Sequence, residues 1–421
     1  MNRKNFLRNR LYLIVLIFIG YTPAYGQIGL KGKVVDAETL KPVEFATVFI
    51  NNSTFGDITD KNGSFKLQIP PGNYELVISF MGYQTFRFAF STETIREGYE
   101  FRILPEAIDL KEAKVEEIRD KIWYQNLALF QDKFLGSSIN GKKSKILNPQ
   151  VLILDGESEQ NKLFARGRDV LEIENPNLGY TIKYVLEEFV HDLETNVTIF
   201  AGYPYFIDQS IPKRRKKKIE EQRKRAYEGS ITHFIRALYF DRLEDEGFLV
   251  NKIEKIPNLE RPSDEDIEAA KALLADTKAL LQRDSLNQVV KKENLPKEVT
   301  RIANDTLKRG DLVEEARNGF LFLTFSEPFF VTYNREAEEL NYRKLLVDHQ
   351  NSSNKIGTTL FSEVNPLPVQ ITKLNMTGKA LRLFEDGNYF HPFDLYLDGY
   401  MAWEKIGDLV PLDYSKGVKQ E

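Results

Sequence analysis

Histidine and carboxylate are the chemistry-bearing side chains to weigh first in this sequence, because it holds no cysteine to act as thiolate ligand or nucleophile. His191-Asp192-Leu193-Glu194 places an imidazole and a carboxylate three residues apart, a spacing with which both can bind one zinc ion. His349 or His391 could complete such a set. With four histidines among 62 acidic residues the spacing also arises readily by chance. No Gly-x-Ser-x-Gly elbow presents a serine nucleophile, and no Gly-x-x-x-x-Gly-Lys-Ser/Thr or Gly-x-Gly-x-x-Gly loop cradles a phosphate. A carboxylate pair for glycoside hydrolysis stays open, since 62 acids form many pairs and a sequence carries no distances. The expectation is that no residue is catalytic, metal-binding or cofactor-binding, and that the histidines serve structure.

Three other patterns invite a functional reading. Tyr203-Pro204-Tyr205-Phe206 and Tyr389-Phe390-His391-Pro392-Phe393 are either sugar-stacking platforms or pieces of core and strand edge, the latter being expected in a β-rich chain. Lys213 to Arg225 carries nine basic residues in thirteen and opens a long helix continued by Tyr227, Ile231, Phe234 and Leu238 on one face. Those cations suit peripheral contact with an anionic membrane surface or a polysaccharide, while a solvated helix extension is the plainer reading. Asp57 to Phe65 resembles a calcium loop only in part, because Ile58 and Ile69 stand where its first and twelfth ligands belong. A hairpin turn at Asp60-Lys61-Asn62-Gly63 is expected instead.

These side chains must be carried by a chain of 421 residues, 42% hydrophobic and 29% charged, the balance of an ordinary globular protein of two or three domains. Arg3, Lys4, Arg8 and Arg10 precede an apolar run from Leu11 to Ile19, and Ala24-Tyr25-Gly26 follows, so residues 1–26 are expected to be a signal peptide. Nine apolar residues fall short of the roughly 20 needed to span a bilayer, and no later stretch approaches that length. Cleavage leaves 54 basic against 62 acidic residues, which argues against nucleic acid as partner. An exported chain with no cysteine relies on core burial alone and has no site for a lipid anchor on a thiol.

From residue 28 to about 108, short alternating runs are separated by turn residues. Phe65, Leu67 and Ile69 alternate with Lys66 and Gln68; Tyr74, Leu76, Ile78 and Phe80 repeat the period after Pro70-Pro71-Gly72. Gly32-Lys33-Val34-Val35-Asp36, Pro42, Ala46-Thr47-Val48, Thr59 to Phe65, Pro71 to Leu76 and Phe80-Met81-Gly82-Tyr83 occur in order. In that order they resemble the carboxypeptidase regulatory-like domain family. The resemblance implies an N-terminal all-β Greek-key sandwich of seven strands, transthyretin-like, at residues 27–108. It further implies an exported protein of a Gram-negative bacterium, located in the periplasm or at the outer membrane and cell surface. The family name implies no peptidase activity, and in zinc carboxypeptidases the catalytic domain precedes the sandwich.

Residues 109–421 are expected to form an α+β domain with antiparallel strands and two long helices. Ile122 to Phe134 is helical by the spacing of Trp123, Leu127, Phe130 and Phe134, and strand runs from Asn148 to Phe206 suggest a meander. A polar helical excursion is expected at about 255–310, with a second long helix from Pro262 to about Leu286 capped by Ser263. Leu345-Leu346-Val347 is expected as a strand. This region resembles the uncharacterised stretch that follows regulatory-like domains in other envelope proteins, through Tyr124 to Leu127, Ile146 to Pro149, Gly179-Tyr180 and Asp398 to Met401. The function expected is binding or scaffolding of an envelope protein or polysaccharide partner without catalysis; the alternatives are a polysaccharide-binding or polysaccharide-processing factor and, last, a zinc carboxypeptidase-like enzyme.

Overall fold

Residues 26–106, 119–276, 279–351, 369–389 and 394–415 are described by a computed structural model, through the backbone alone over 347–351. Residues 1–25 of the expected signal peptide, residues 107–118, and His391 with Phe390, Pro392 and Phe393 lie outside those residues. The described chain is rich in antiparallel β-structure and carries several helices. It divides into two compact units, and the first takes in Arg168–Val170 and Tyr203–Phe206 besides the residues up to 106.

In the first unit, period-two patterning becomes strands β1 (Ile28–Asp36), β2 (Thr47–Ile50), β3 (Gly56–Ile58), β4 (Ser64–Ile69), β5 (Asn73–Ser79), β6 (Phe86–Ser91) and β7 (Tyr99–Ile103). They form two sheets, in the orders β4-β1-β7 and β3-β2-β5-β6. Every pairing is antiparallel except β1 with β7. Phe65, Leu67 and Ile69 of β4 face one core with Leu30, Val48, Leu76, Ile78 and Phe101. The Asp60 carboxylate closes the β3–β4 turn by accepting from the Asn62 and Ser64 amides at 2.8 and 2.9 Å. Gly63 sits in that turn at φ +74°, where a Cβ would meet the Val34 carbonyl at 2.3 Å, so no other residue fits.

Alternation fails at the centre of the second sheet. All four residues of β2 are buried, and so is Val77, which was expected on a wet face. The cause lies over a hundred residues downstream: the Tyr205 ring stacks on Phe49 at 5.4 Å and covers that face.

The second unit opens with α1 (Lys121–Leu135), capped where the Asp120 carboxylate accepts from the Trp123 amide at 2.8 Å. Phe130 meets Phe189 at 4.7 Å and Phe134 meets Tyr184 at 5.1 Å, seating the helix on a sheet. That sheet contains β8 (Lys145–Ile146), β9 (Leu152–Asp155), β10 (Lys162–Gly167), β11 (Leu171–Asn175), β12 (Tyr180–Asp192) and β13 (Thr198–Asp208). It is not the expected meander. The order is β8-β11-β12-β10-β9 with β13 also on β12, because the thirteen-residue β12 pairs with β11 through 180–184 and with β10 through 189–192.

The first long helix is corrected to two, α2 (Lys213–Tyr227) and α3 (Ile231–Tyr239). Gly229 breaks it at φ +84°, and the Ser230 hydroxyl restarts it by accepting from the His233 amide. The second is likewise α4 (Asp264–Asp276) and α5 (Leu280–Lys291), with Ser263 Oγ accepting from the Asp266 amide at 3.0 Å. These two helices connect β14 (Phe248–Pro257) to its antiparallel partner β15 (Glu298–Thr306).

The chain continues through β16 (Val313–Glu315), β17 (Leu321–Leu323), β18 (Phe329–Ala337), α6 (Leu340–Asn351), β19 (Val369–Met376), β20 (Leu381–Arg382) and β21 (Leu395–Gly399). Two further sheets result, β15-β14-β18-β19-β21 and β16-β17-β20. Phe234 and Leu238 of α3 pack with Phe248, Val331, Tyr333 and Leu374 in the core over the larger sheet. Leu345-Leu346-Val347, expected as a strand, lies inside α6. Three apolar residues do not distinguish strand from helix, and the flanking Arg343 and Lys344 favour the helix. No helix among the described residues is long and apolar enough to cross a membrane.

Candidate functional site

The His191 imidazole is buried in β12, and its Nδ1 lies 2.9 Å from the Thr198 hydroxyl. The neighbouring Asp192 carboxylate holds the turn that carries Glu194, accepting from the Glu194 and Thr195 amides at 2.9 and 2.8 Å. Burial, with the Lys133 charge second, lowers the proton affinity of His191. His349 falls in α6. Among the described residues no three His, Asp or Glu side chains are grouped to hold a metal ion. Elemental analysis of the purified chain is expected to show well under one zinc per molecule, unchanged by His191→Ala; stoichiometric zinc lost in that variant would overturn the prediction.

His233 is also buried. Its Nδ1 accepts from the Gly229 amide at 3.1 Å, which puts the imidazole proton on Nε2, 3.1 Å from a Glu246 oxygen. Tyr227 and Phe248 lie 4.8 Å from its ring, so the pair fastens the start of α3 to the sheet below it.

Sequence reading missed a set of shifted carboxyls that gathers around the short helical turn Ile406–Asp408 of the second unit. Asp408 is 7% exposed; one oxygen accepts from Ser138 Oγ and Asn140 Nδ2, both at 3.0 Å, and the other has no hydrogen-bond partner among the described residues. Burial pushes its pKa up to about 6. Burial raises Glu404 strongly, aided by the charges of Asp408, Glu336 and Glu339. Glu336 is raised by burial despite its 2.6 Å pair with Arg225. Tyr342, Tyr400 and Trp403 stand beside this group with rings 5.2–5.5 Å apart, and the Trp403 indole donates to Ser137 Oγ at 2.8 Å. Asp408 thus keeps its proton to about pH 6, and burial favours the neutral form of Glu404 and Glu336 as well. The group was invisible in the sequence because Asp408 and its two donors are 268 and 270 residues apart.

The basic run divides in two. Lys213 to Lys218 are exposed, whereas Arg223 is buried over the Tyr180 ring at 3.8 Å, donating to Asp208 and to the Leu178 and Gly179 carbonyls. Of the aromatic clusters, Tyr205 and the fully buried Phe206 pack in the first unit, and Tyr389 packs against the core under α3.

The first unit offers its own aromatic surface. β6 and β7 are the edge strands of their two sheets, and half-buried Phe86, Phe88 and Tyr99 surround Phe101 at ring distances of 5.5–5.8 Å. Phe90 and Tyr74 extend the strip. A run of partly exposed rings on an unpaired edge is a surface suited to another chain.

Residues 30–115 match the family described as CarboxypepD_reg-like domain. The CarboxypepD_reg-like segment thus contains the core of both sheets and the aromatic strip. A TonB-dependent receptor, SusC of Bacteroides thetaiotaomicron, is 40% identical over 85 residues, which is 20% of this chain and 8% of the receptor. The chain therefore matches less than a tenth of that relative's length. Among solved structures, a candidate carbohydrate binding protein from Bacteroides uniformis is 10% identical, with 43% of this chain and 78% of that one covered at a TM-score of 0.15. A 9R-lipoxygenase from Cyanothece is 12% identical, with 54% and 49% covered at a TM-score of 0.17. Scores this low carry no argument about fold or function.

Proposed function

We propose that this chain is an exported envelope protein in which residues 1–26 direct export and residues 27–108 form a binding or scaffolding module without catalysis. The reading makes the seven strands β1–β7 a Greek-key sandwich of transthyretin type, followed by an α+β domain at 109–421. One observation carries it: the CarboxypepD_reg-like segment is shared with a TonB-dependent receptor of a Bacteroides, where it is a small part of a much longer chain. A domain reused in that way acts through the surface it presents. The half-exposed rings on β6 and β7 are the surface it offers to an envelope protein partner.

The test is photo-crosslinking in the native envelope, with a photoreactive residue placed at Phe88 on β6 or, as a control, at exposed Lys66 on β4. The expected result is a discrete adduct from position 88 and none from 66, on a mature chain whose intact mass begins at Gln27. Equal labelling from both positions, or a chain that keeps Met1 to Gly26, overturns the proposal.

A further inference from the structure

Arg382 differs from the buried Arg223, the exposed Arg225 and the half-buried Arg236 of the second unit. Arg223 and Arg225 each meet a carboxylate at 2.6 Å, and Arg236 donates to three backbone carbonyls. The Arg382 guanidinium is half-buried, yet among the described residues it has neither a hydrogen-bond acceptor nor a carboxylate partner. What it has is carbon. Its central atom lies 3.5 Å from the centroid of the Phe320 ring and 4.7 Å from that of Phe384. Burial lowers its proton affinity, and the one acidic group bearing on it among the described residues is the Tyr239 phenol.

The scaffold fixes this arrangement from both ends. Leu381 and Leu383, on either side, are buried in the core, so alternation along the strand turns Arg382 to the opposite face. Its backbone pairs with Phe322, two residues after Phe320, and Phe384 is held by the tight turn in which its amide donates to the Asn388 carbonyl at 3.0 Å. At 3.5 Å a ring can only lie flat against a guanidinium, so the π face is occupied and the N–H bonds in the guanidinium plane remain. Its nitrogens are not sealed from water, so the free edge of the fork is open to an approaching anion.

We propose that Arg382, held against Phe320 and Phe384, is a binding site for a planar carboxylate such as that of a sugar acid. The carboxylate lies in the guanidinium plane and accepts two parallel N–H bonds, a geometry that lysine cannot supply. Because the rings hold the guanidinium in place, little side-chain freedom is lost on binding. A neutral sugar offers no charge to the fork. This site lies in the second unit and does not depend on the reading of the first.

The experiment titrates the full mature chain, labelled with nitrogen-15 arginine, with glucuronate or glucose, following the arginine Nε–H resonances. Glucuronate is expected to shift one resonance saturably, the one missing from Arg382→Gln, and glucose is not. Arg382→Gln should weaken glucuronate binding at least about tenfold, and Phe320→Leu should weaken it less, by loosening the guanidinium. Arg382→Lys, which keeps the charge and loses the fork, should also weaken it, and it decides the matter if the glutamine variant fails to fold. No saturable shift with glucuronate, equal response to glucose, or binding retained in the folded Arg382 variants overturns the proposal.

Discussion

Leu76→Ala is expected to destabilise the first unit by about 2–5 kcal/mol, the cost of emptying a leucine site in a packed core. Leu76 is fully buried between the two sheets with Leu30, Val48, Phe65 and Ile78. Its neighbour Glu75 points the other way, half-exposed, with one carboxylate oxygen accepting from Asn51 Nδ2 at 2.9 Å. Glu75→Ala should therefore cost no more than about 1 kcal/mol. Val77 shares the side of Glu75 yet is fully buried, so Val77→Ala should cost more than Glu75→Ala. Hydrogen exchange of the β2 and β5 amides during denaturation of the full chain is the measurement, because both tryptophans, Trp123 and Trp403, lie in the second unit. Equal costs for Leu76→Ala and Glu75→Ala would show the facing to be wrong.

Asp408 should make stability depend on pH in the direction opposite to a salt-bridged carboxylate. In the folded chain it keeps its proton up to about pH 6, while an unfolded aspartate releases it near the ordinary 3.8. Between those values the folded state binds more protons, so stability is full below about pH 4 and is lost as pH rises toward 6. The loss is on the order of 3 kcal/mol, with Glu404 adding in the same sense. The charges near Asp408 are those of Glu339 and Glu404, with Glu336 acting on Glu404. Asp408→Asn mimics the protonated carboxyl and keeps an oxygen for Ser138 and Asn140. It should match the native chain near pH 4, exceed its stability at pH 7.5, and flatten the slope between. Denaturation midpoints measured from pH 4 to 8 test this, and parallel curves for the two proteins would refute it.

The first unit was legible because its signals are local. Phe65, Leu67 and Ile69 needed only alternation, and Gly63 only the turn chemistry of its neighbours. β6 had the same signal in Phe86, Phe88 and Phe90 with Arg87 and Ala89 between them, though it was passed over. The break after α2 was hidden by helical spacing that runs on from Tyr227 through Ile231 and Phe234. What stops the helix is the left-handed turn at Gly229, where a Cβ would lie 2.2 Å from the Gln370 side-chain oxygen, so only glycine fits. The burial of Phe49 beneath Tyr205, the donors on Asp408 and the rings around Arg382 all come from residues distant along the chain. No local pattern encodes them.

The place of Tyr205 also sets a timetable. A chain emerging from the ribosome or from a translocation channel completes β1–β7 at residue 103, but the cover for Phe49 is 102 residues further on. For that interval a finished pair of sheets exposes the Phe49 and Val77 face to water. Such a patch on a nascent chain is a waiting place for a chaperone, and the stretch from 104 to 202 sets how long it waits.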